Sequence, residues 1–253
     1  MNIGLFSAAS ALNTNQKWLE SVSENLASQP IPGFKRTQMV VGAEIAGEIP
    51  KEYHDVANEG PTSYLLPTSK AALNFSQGDL KRTEVKTDFA LEGKGFFVVQ
   101  TPGGDEVFTR DGEFKFSADG QLVNKEGYPV LGDAGPIFAN ALNDAQIFAE
   151  PDGTIRQGQQ ILGKLRVVDF GDLNNLEPYS GGLFKAKQGA PGPVEIPETK
   201  VRQGYLESAN VSTVKEMAGL ILAMRNYEAN QKVIQNTDDK LGKAIQALGE
   251  SAS

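Results

Sequence analysis

Leucine returns at every seventh position at the start of this chain, and apolar residues do so again at its end. The first series is Leu5, Leu12, Leu19 and Leu26. The second is Leu220, Tyr227, Ile234, Leu241 and Leu248. A seven-residue apolar repeat is the seam of a helix that packs on another helix, so both ends must be helical and both need a partner. These nine residues are the expected assembly interface. The alternative is that the two seams pair only within one subunit.

The limits of both helices are written locally. The first spans residues 3–28, with Ala8, Asn15 and Val22 as companion positions and Trp18 widening the stripe. It must stop near Gln29, because Pro30, Pro32 and Gly33 follow. At about 1.5 Å per residue it is roughly 36–39 Å long. Asn15, at a seam position, is either a polar residue of the kind that sets register in coiled coils or an exposed Asn on a loosely packed helix. The second helix spans 213–248, about 54 Å. Thr213-Val214-Lys215-Glu216 is a capping box that opens it. Its second apolar line, Met217, Met224, Gln231, Asp238 and Ile245, turns polar towards the C-terminus.

Between the helices the period changes. Phe96-Phe97-Val98-Val99, Val107–Arg110, Glu113–Phe116, Gln121-Leu122-Val123, Tyr128–Leu131 and Lys164–Val168 read as strands. Asp111-Gly112, Asp119-Gly120 and Asp152-Gly153 read as hairpin turns. Short strands at close spacing without intervening helices indicate an antiparallel β domain. The predicted class is therefore mixed α and β: an antiparallel β domain flanked by long N- and C-terminal coiled-coil-type helices that pack together. The division is an N-terminal assembly helix over 1–36, an extended connecting segment over 37–86, the β domain over 87–200 and a C-terminal assembly helix over 201–253. Such helices bury little alone, so the terminal seams are expected to be largely disordered in a free monomer.

Composition narrows the function. The formal charge of −8 argues against a surface made for nucleic acid or anionic lipid. The chain has no cysteine, which removes disulfides, thiolate zinc sites and Cys nucleophiles. His54 is its only histidine and gives little basis for a metal cluster or a general base. The Asp-Gly pairs lack the ligand array of a calcium loop. Gly93-Lys94-Gly95 precedes a strand, the wrong context for a phosphate loop. Lys35-Arg36 and Lys81-Arg82 are too short for a nucleic-acid patch. No catalytic residue, metal site or cofactor is expected, and no membrane span. The start, Met1–Phe6, lacks the features of a cleaved secretory signal.

Three blocks resemble the axial rod and hook proteins of the bacterial flagellar basal body. The first is Asn25-Leu26-Ala27 followed by Gly33-Phe34-Lys35-Arg36, with Ser28 and Ile31 departing from the family pattern. The second runs from Leu91-Glu92-Gly93-Lys94-Gly95-Phe96-Phe97-Val98-Val99-Gln100 to Phe108-Thr109-Arg110-Asp111-Gly112-Glu113-Phe114. Gln121-Leu122-Val123 and Gly127–Gly132 complete it. The third is Gln203-Gly204-Tyr205-Leu206-Glu207-Ser208-Ala209-Asn210-Val211, leading into Glu216-Met217 and Arg225–Ile234, with Ala209 in place of the usual Ser.

The resemblance is collinear over nearly the whole chain. It implies a structural, non-enzymatic subunit of the rod, which transmits torque from motor to hook. Terminal helices would pair in an inner layer around a central export channel, with the β domain outside. The partners would be other rod proteins, further copies of this chain and the flagellar type III export apparatus. The subunit would lie in the flagellar basal body, in the periplasm of a Gram-negative cell, exported without a cleaved signal. Gly132-Asp133-Ala134-Gly135-Pro136-Ile137 and the short segment before residue 87 look most like the proximal-rod member. A distal-rod or hook-family paralogue is the nearest alternative. A secreted β binding module would not need both seams, and an enzyme would need a constellation the chain lacks.

Overall fold

The computed structural model describes residues 3–49, 62–140, 146–196 and 198–251. Side chains 1–6, 41, 43–67, 241, 244–245 and 247–253 also lie outside the described set, and with them His54 and the seam positions Leu5, Leu241 and Leu248. The residues fall into two compact units. One comprises Met1–Leu26, Thr37–Ala72 and Thr213–Ser253; the other comprises Ala27–Arg36 and Leu73–Ser212.

The first unit holds both helices. α1 covers Ile3–Ala27 and α2 covers Thr213–Ser251. α1 stops where Pro30, Pro32 and Gly33 remove helical backbone, and Gly33 takes a left-handed φ of 69°. α2 opens at Thr213, the start of the predicted capping box. The 37–86 segment holds two long strands, Thr37–Ile49 and Thr62–Leu73, hydrogen-bonded to each other as a two-stranded sheet. No two-residue alternation marks them in the sequence, so pairing was not legible there.

The second unit is the β body. Its largest sheet has six strands in the spatial order Leu176–Ser180, Leu183–Ala186, Glu106–Thr109, Phe96–Gln100, Val167–Asp169, Val194–Glu195. The pairs with given register are antiparallel. Successive side chains of a strand point to opposite faces. Phe97 and Val99 enter one core with Phe89, Leu91, Phe114, Leu122 and Ile155. Phe96 and Val98 enter another with Phe108, Val168, Phe170 and Phe184. The run Phe96-Phe97-Val98-Val99 is apolar throughout because both of its faces are covered. Edge-to-face ring pairs order both layers: Phe97–Phe114 at 5.3 Å, and Phe108–Phe170 at 4.8 Å.

The body extends past 87–200 at both ends. Lys200–Gln203 pairs with Phe89–Glu92, and Tyr205–Glu207 pairs with Leu80–Arg82. Residues 201–212 are thus strand and turn in the body, before α2 begins. Two predicted turns hold: Gly120 and Gly153 have positive φ. The Asp111-Gly112 pair is different. A Cβ on Gly112 would lie 1.7 Å from the Phe89 carbonyl oxygen, so this glycine permits a close backbone approach instead of a hairpin reversal.

Candidate assembly helices and a buried ionic junction

The seam residues are placed unequally. On α1, Leu12, Leu19 and Leu26 are half-buried, and so is Asn15. Deeper burial falls on the companion line: Ala8 and Val22 are buried. On α2, Leu220 and Ile234 are half-buried, Tyr227 is at the edge of exposure, and Ala223 has no exposed surface at all. A second apolar stripe on α2 faces outward. Val214 is 79% exposed, Met217 50%, Ile221 54% and Met224 50%. Positions three and four apart share a helical face, so these four form one continuous line.

Where α1 meets α2 the contact is polar. The Asn25 amide nitrogen donates to a Glu216 carboxylate oxygen at 3.3 Å, and both side chains are buried. The same Asn25 serves both backbone groups of Thr37. Its Oδ1 accepts the Thr37 N–H at 2.8 Å, and its Nδ2 donates to the Thr37 carbonyl at 2.8 Å. Ser21 Oγ also donates to that carbonyl. Asn25 thus replaces a strand neighbour for the first residue after the α1 turn. Gly219 faces Val22: a Cβ there would sit 3.7 Å from Val22 Cγ2, in ordinary contact.

The β body contains a second polar cluster, which the sequence reading passed over. Lys35 Nζ lies 2.6 Å from Glu207 Oε1, and Arg110 Nη1 lies 3.0 Å from Glu207 Oε2. Their side chains are 1%, 0% and 5% exposed for Lys35, Glu207 and Arg110. Lys35 Nζ also donates to the Ser76 carbonyl, and the Gly78 N–H donates to Glu207 Oε1. Arg110 Nη2 donates to the Gly93 carbonyl at 2.7 Å, and its guanidinium stands 5.5 Å from the Phe96 ring centroid. Burial pushes both Lys35 and Arg110 below their ordinary pKa ranges, and the Glu207 carboxylate opposes that shift.

Lys35 is one half of the basic pair dismissed as a nucleic-acid patch. It is instead wholly interior. The signal available was its setting: Lys35 follows Gly33-Phe34, Arg110 follows the strand Glu106–Thr109, and Glu207 ends the strand Tyr205–Glu207. Each of the three belongs to a different block of the family resemblance. A fixed charge inside each block is what a buried ionic junction requires.

Among the described residues no group of three or more His, Cys, Asp or Glu side chains gathers to hold a metal ion. Among them, too, no helix is long and apolar enough to cross a membrane. Gly93 and Gly95 flank Lys94 with positive φ, and the Lys94 carbonyl accepts from Thr199 Oγ1, so this glycine-rich turn serves local packing.

Comparison with known proteins follows the same division. The flagellar hook protein FlgE/F/G D1 domain matches residues 90–159, in the β body. The flagellar basal body rod FlgEFG protein C-terminal family matches residues 202–247, which include most of α2. The flagellar basal-body rod protein FlgF of Caulobacter vibrioides is 32% identical, with 99% of each chain covered. FlgF of Mesorhizobium japonicum is 31% identical over the full length of both. The flagellar basal-body rod protein FlgG of Buchnera aphidicola subsp. Acyrthosiphon pisum is 31% identical, over 96% of this chain and 98% of its own. Full-length identity at this level, on a body and a C-terminal helix that both match by themselves, makes this chain a member of the flagellar basal-body rod proteins, structural subunits of the flagellar basal body.

Proposed function

We propose that the chain polymerises helically through α1 and α2 to build the proximal part of the rod, transmitting torque and lining the export channel. The observation that carries this reading is the outward stripe Val214, Met217, Ile221 and Met224. Four large apolar side chains on one helical face remain in water, on a helix whose Ala223 is already fully covered. Covering the exposed part of each would contribute about 1 kcal/mol, enough in sum to hold a repeated lattice contact. A contact between unlike surfaces that does not close into a ring generates a helical filament.

The assembly interface then combines two lines. Leu5, Leu12, Leu19 and Leu26 of α1 and Leu220, Tyr227, Ile234, Leu241 and Leu248 of α2 form the coiled-coil seam, and the Met217 stripe takes a neighbouring subunit. Residues 1–36 and 201–253 are the assembly regions, 37–86 the connecting arm and 87–200 the heart of the β domain. Partners are further copies and other axial rod subunits. Export proceeds through the flagellar type III apparatus, and no nucleic acid is bound. The proximal position is supported by the resemblance carried by Gly132-Asp133-Ala134-Gly135-Pro136-Ile137 and by the short segment before residue 87.

The test replaces Met217 and Ile221 together by Ser, and separately Ile234 and Leu241 together by Ala. Each double variant is expected to keep the β-body far-UV and near-UV spectra and to be missing from purified basal bodies. Normal motility and normal incorporation of both would refute assembly through α2.

A further inference from the structure

We propose that Lys35, Glu207 and Arg110, with Asn210 beside them, form a latch that binds three chain segments of the β body, 33–36, 74–79 and 207–210, into one cooperative unit. Its use under load rests on the rod reading; its existence does not.

The placement motivates the idea. Chain passages into and out of the body fall before Ala27, after Arg36, before Leu73 and after Ser212. Each latched segment adjoins one of them. Force carried along the covalent chain from the terminal elements therefore enters the body at these residues. Only a few backbone bonds join the segments: Gly33 N–H to the Glu207 carbonyl, Asn74 N–H to the Arg36 carbonyl, Ser208 N–H to the Asp79 carbonyl and Asn210 N–H to the Phe34 carbonyl. Side chains supply the rest, and each reaches more than one segment. The Asn210 side chain accepts the Arg36 N–H at 2.7 Å and donates to the Asn74 and Ser76 carbonyls at 2.7 and 3.0 Å. Glu207 Oε1 accepts both Lys35 Nζ and the Gly78 N–H, at 2.6 and 2.9 Å.

Two glycines make the approach possible. A Cβ on Gly33 would lie 2.2 Å from the Arg110 carbonyl carbon, and one on Gly78 would lie 2.0 Å from the Ser208 carbonyl oxygen. Charge then ties the unit to Glu207. Two buried cations share this carboxylate, so withdrawing segment 207–210 strands Lys35 and Arg110 in the interior, while segments 33–36 and 74–79 are bonded to it through Lys35 Nζ and the Gly78 N–H. Glu207 is the positioning residue on which both cations depend. Loss of Lys35 leaves Arg110 and Glu207 balanced; loss of the Glu207 charge leaves two cations facing each other. A junction held by hydrogen bonds without regard to charge would show the reverse order, because Glu207→Gln keeps an acceptor oxygen whereas Lys35→Met loses the donor to Ser76.

Hydrogen exchange on the full-length monomer tests this, read at the amides of Gly33, Arg36 and Gly78, with Val98 and Phe108 of the central sheet as reference. Glu207→Gln is expected to speed exchange at all three junction amides by a common factor of about tenfold or more, with the sheet amides unchanged. Lys35→Met should have a smaller effect. Unequal factors at the three amides, no change, or a larger effect from Lys35→Met would overturn the latch. Should Glu207→Gln not fold, Asn210→Ala keeps the ions and must still speed all three amides together; no change there also overturns it. Absence of the wild-type chain from rods would remove the rod reading and leave these exchange results to stand by themselves.

Discussion

Glu207 pairs directly with both Lys35 and Arg110, whereas Asp169 acts on Arg110 only through its field. Taking the Glu207 charge away leaves Lys35 and Arg110 in the interior without their paired carboxylate, and breaking a buried pair in that way costs about 3–5 kcal/mol. Urea unfolding of Glu207→Gln should show that loss. Lys35→Met should cost about 1–3 kcal/mol, chiefly from Glu207 Oε1 losing its charged donor, since the Ser76 carbonyl keeps the Asn210 amide. Equal costs would mean that the site is not governed by charge. Glycine supplies a second residue-scale contrast. Gly33 combines a φ of 69° with a forbidden approach to the Arg110 backbone, whereas Gly104 has a φ of 87° and open space around it. Gly104→Ala should therefore cost only the left-handed strain of about 1–2 kcal/mol. Gly33→Ala should cost clearly more, or prevent folding of the body, as thermal unfolding would report.

At the scale of elements, the two helices show what periodicity can and cannot tell. The seven-residue repeats locate α1 and α2, and the Thr213–Glu216 capping box gives the start of α2 at Thr213. They do not rank the lines on each helix: Ala8 and Val22 are buried more deeply than Leu12 and Leu19, since small residues allow the closest approach. Ala223 marks the same close approach on α2, so Ala223→Leu should overpack the site and cost about 1–3 kcal/mol in the monomer. A neutral result would show that this face of α2 is loosely packed. In the body, Phe96–Val99 was legible because a strand buried on both faces is a continuous apolar run. Lys200–Gln203 was not, because it has an exposed face and its partner Phe89–Glu92 lies far along the chain. Leu176–Ser180 was not, because all of it beyond Leu176 is exposed, although its partner Leu183–Ala186 comes next in sequence. The ionic junction was hidden for the same reason. Lys35 and Arg110 are 172 and 97 residues from Glu207, and no local pattern encodes so distant a pair. Only the three blocks of family resemblance held all its members.

The whole molecule joins a twice-covered β body, locked by buried charge, to a pair of helices of which one keeps an apolar stripe in water. A rod subunit needs both features: a body that does not deform under torque, and a surface left unsatisfied until the next subunit arrives. The most direct measurement is to purify intact flagellar basal bodies from the source organism and probe them for this chain. The account predicts that the chain is found in the rod, between the membrane ring and the hook, at the proximal end. Its absence from well-preserved rods would contradict the account and leave only the fold and the family membership standing.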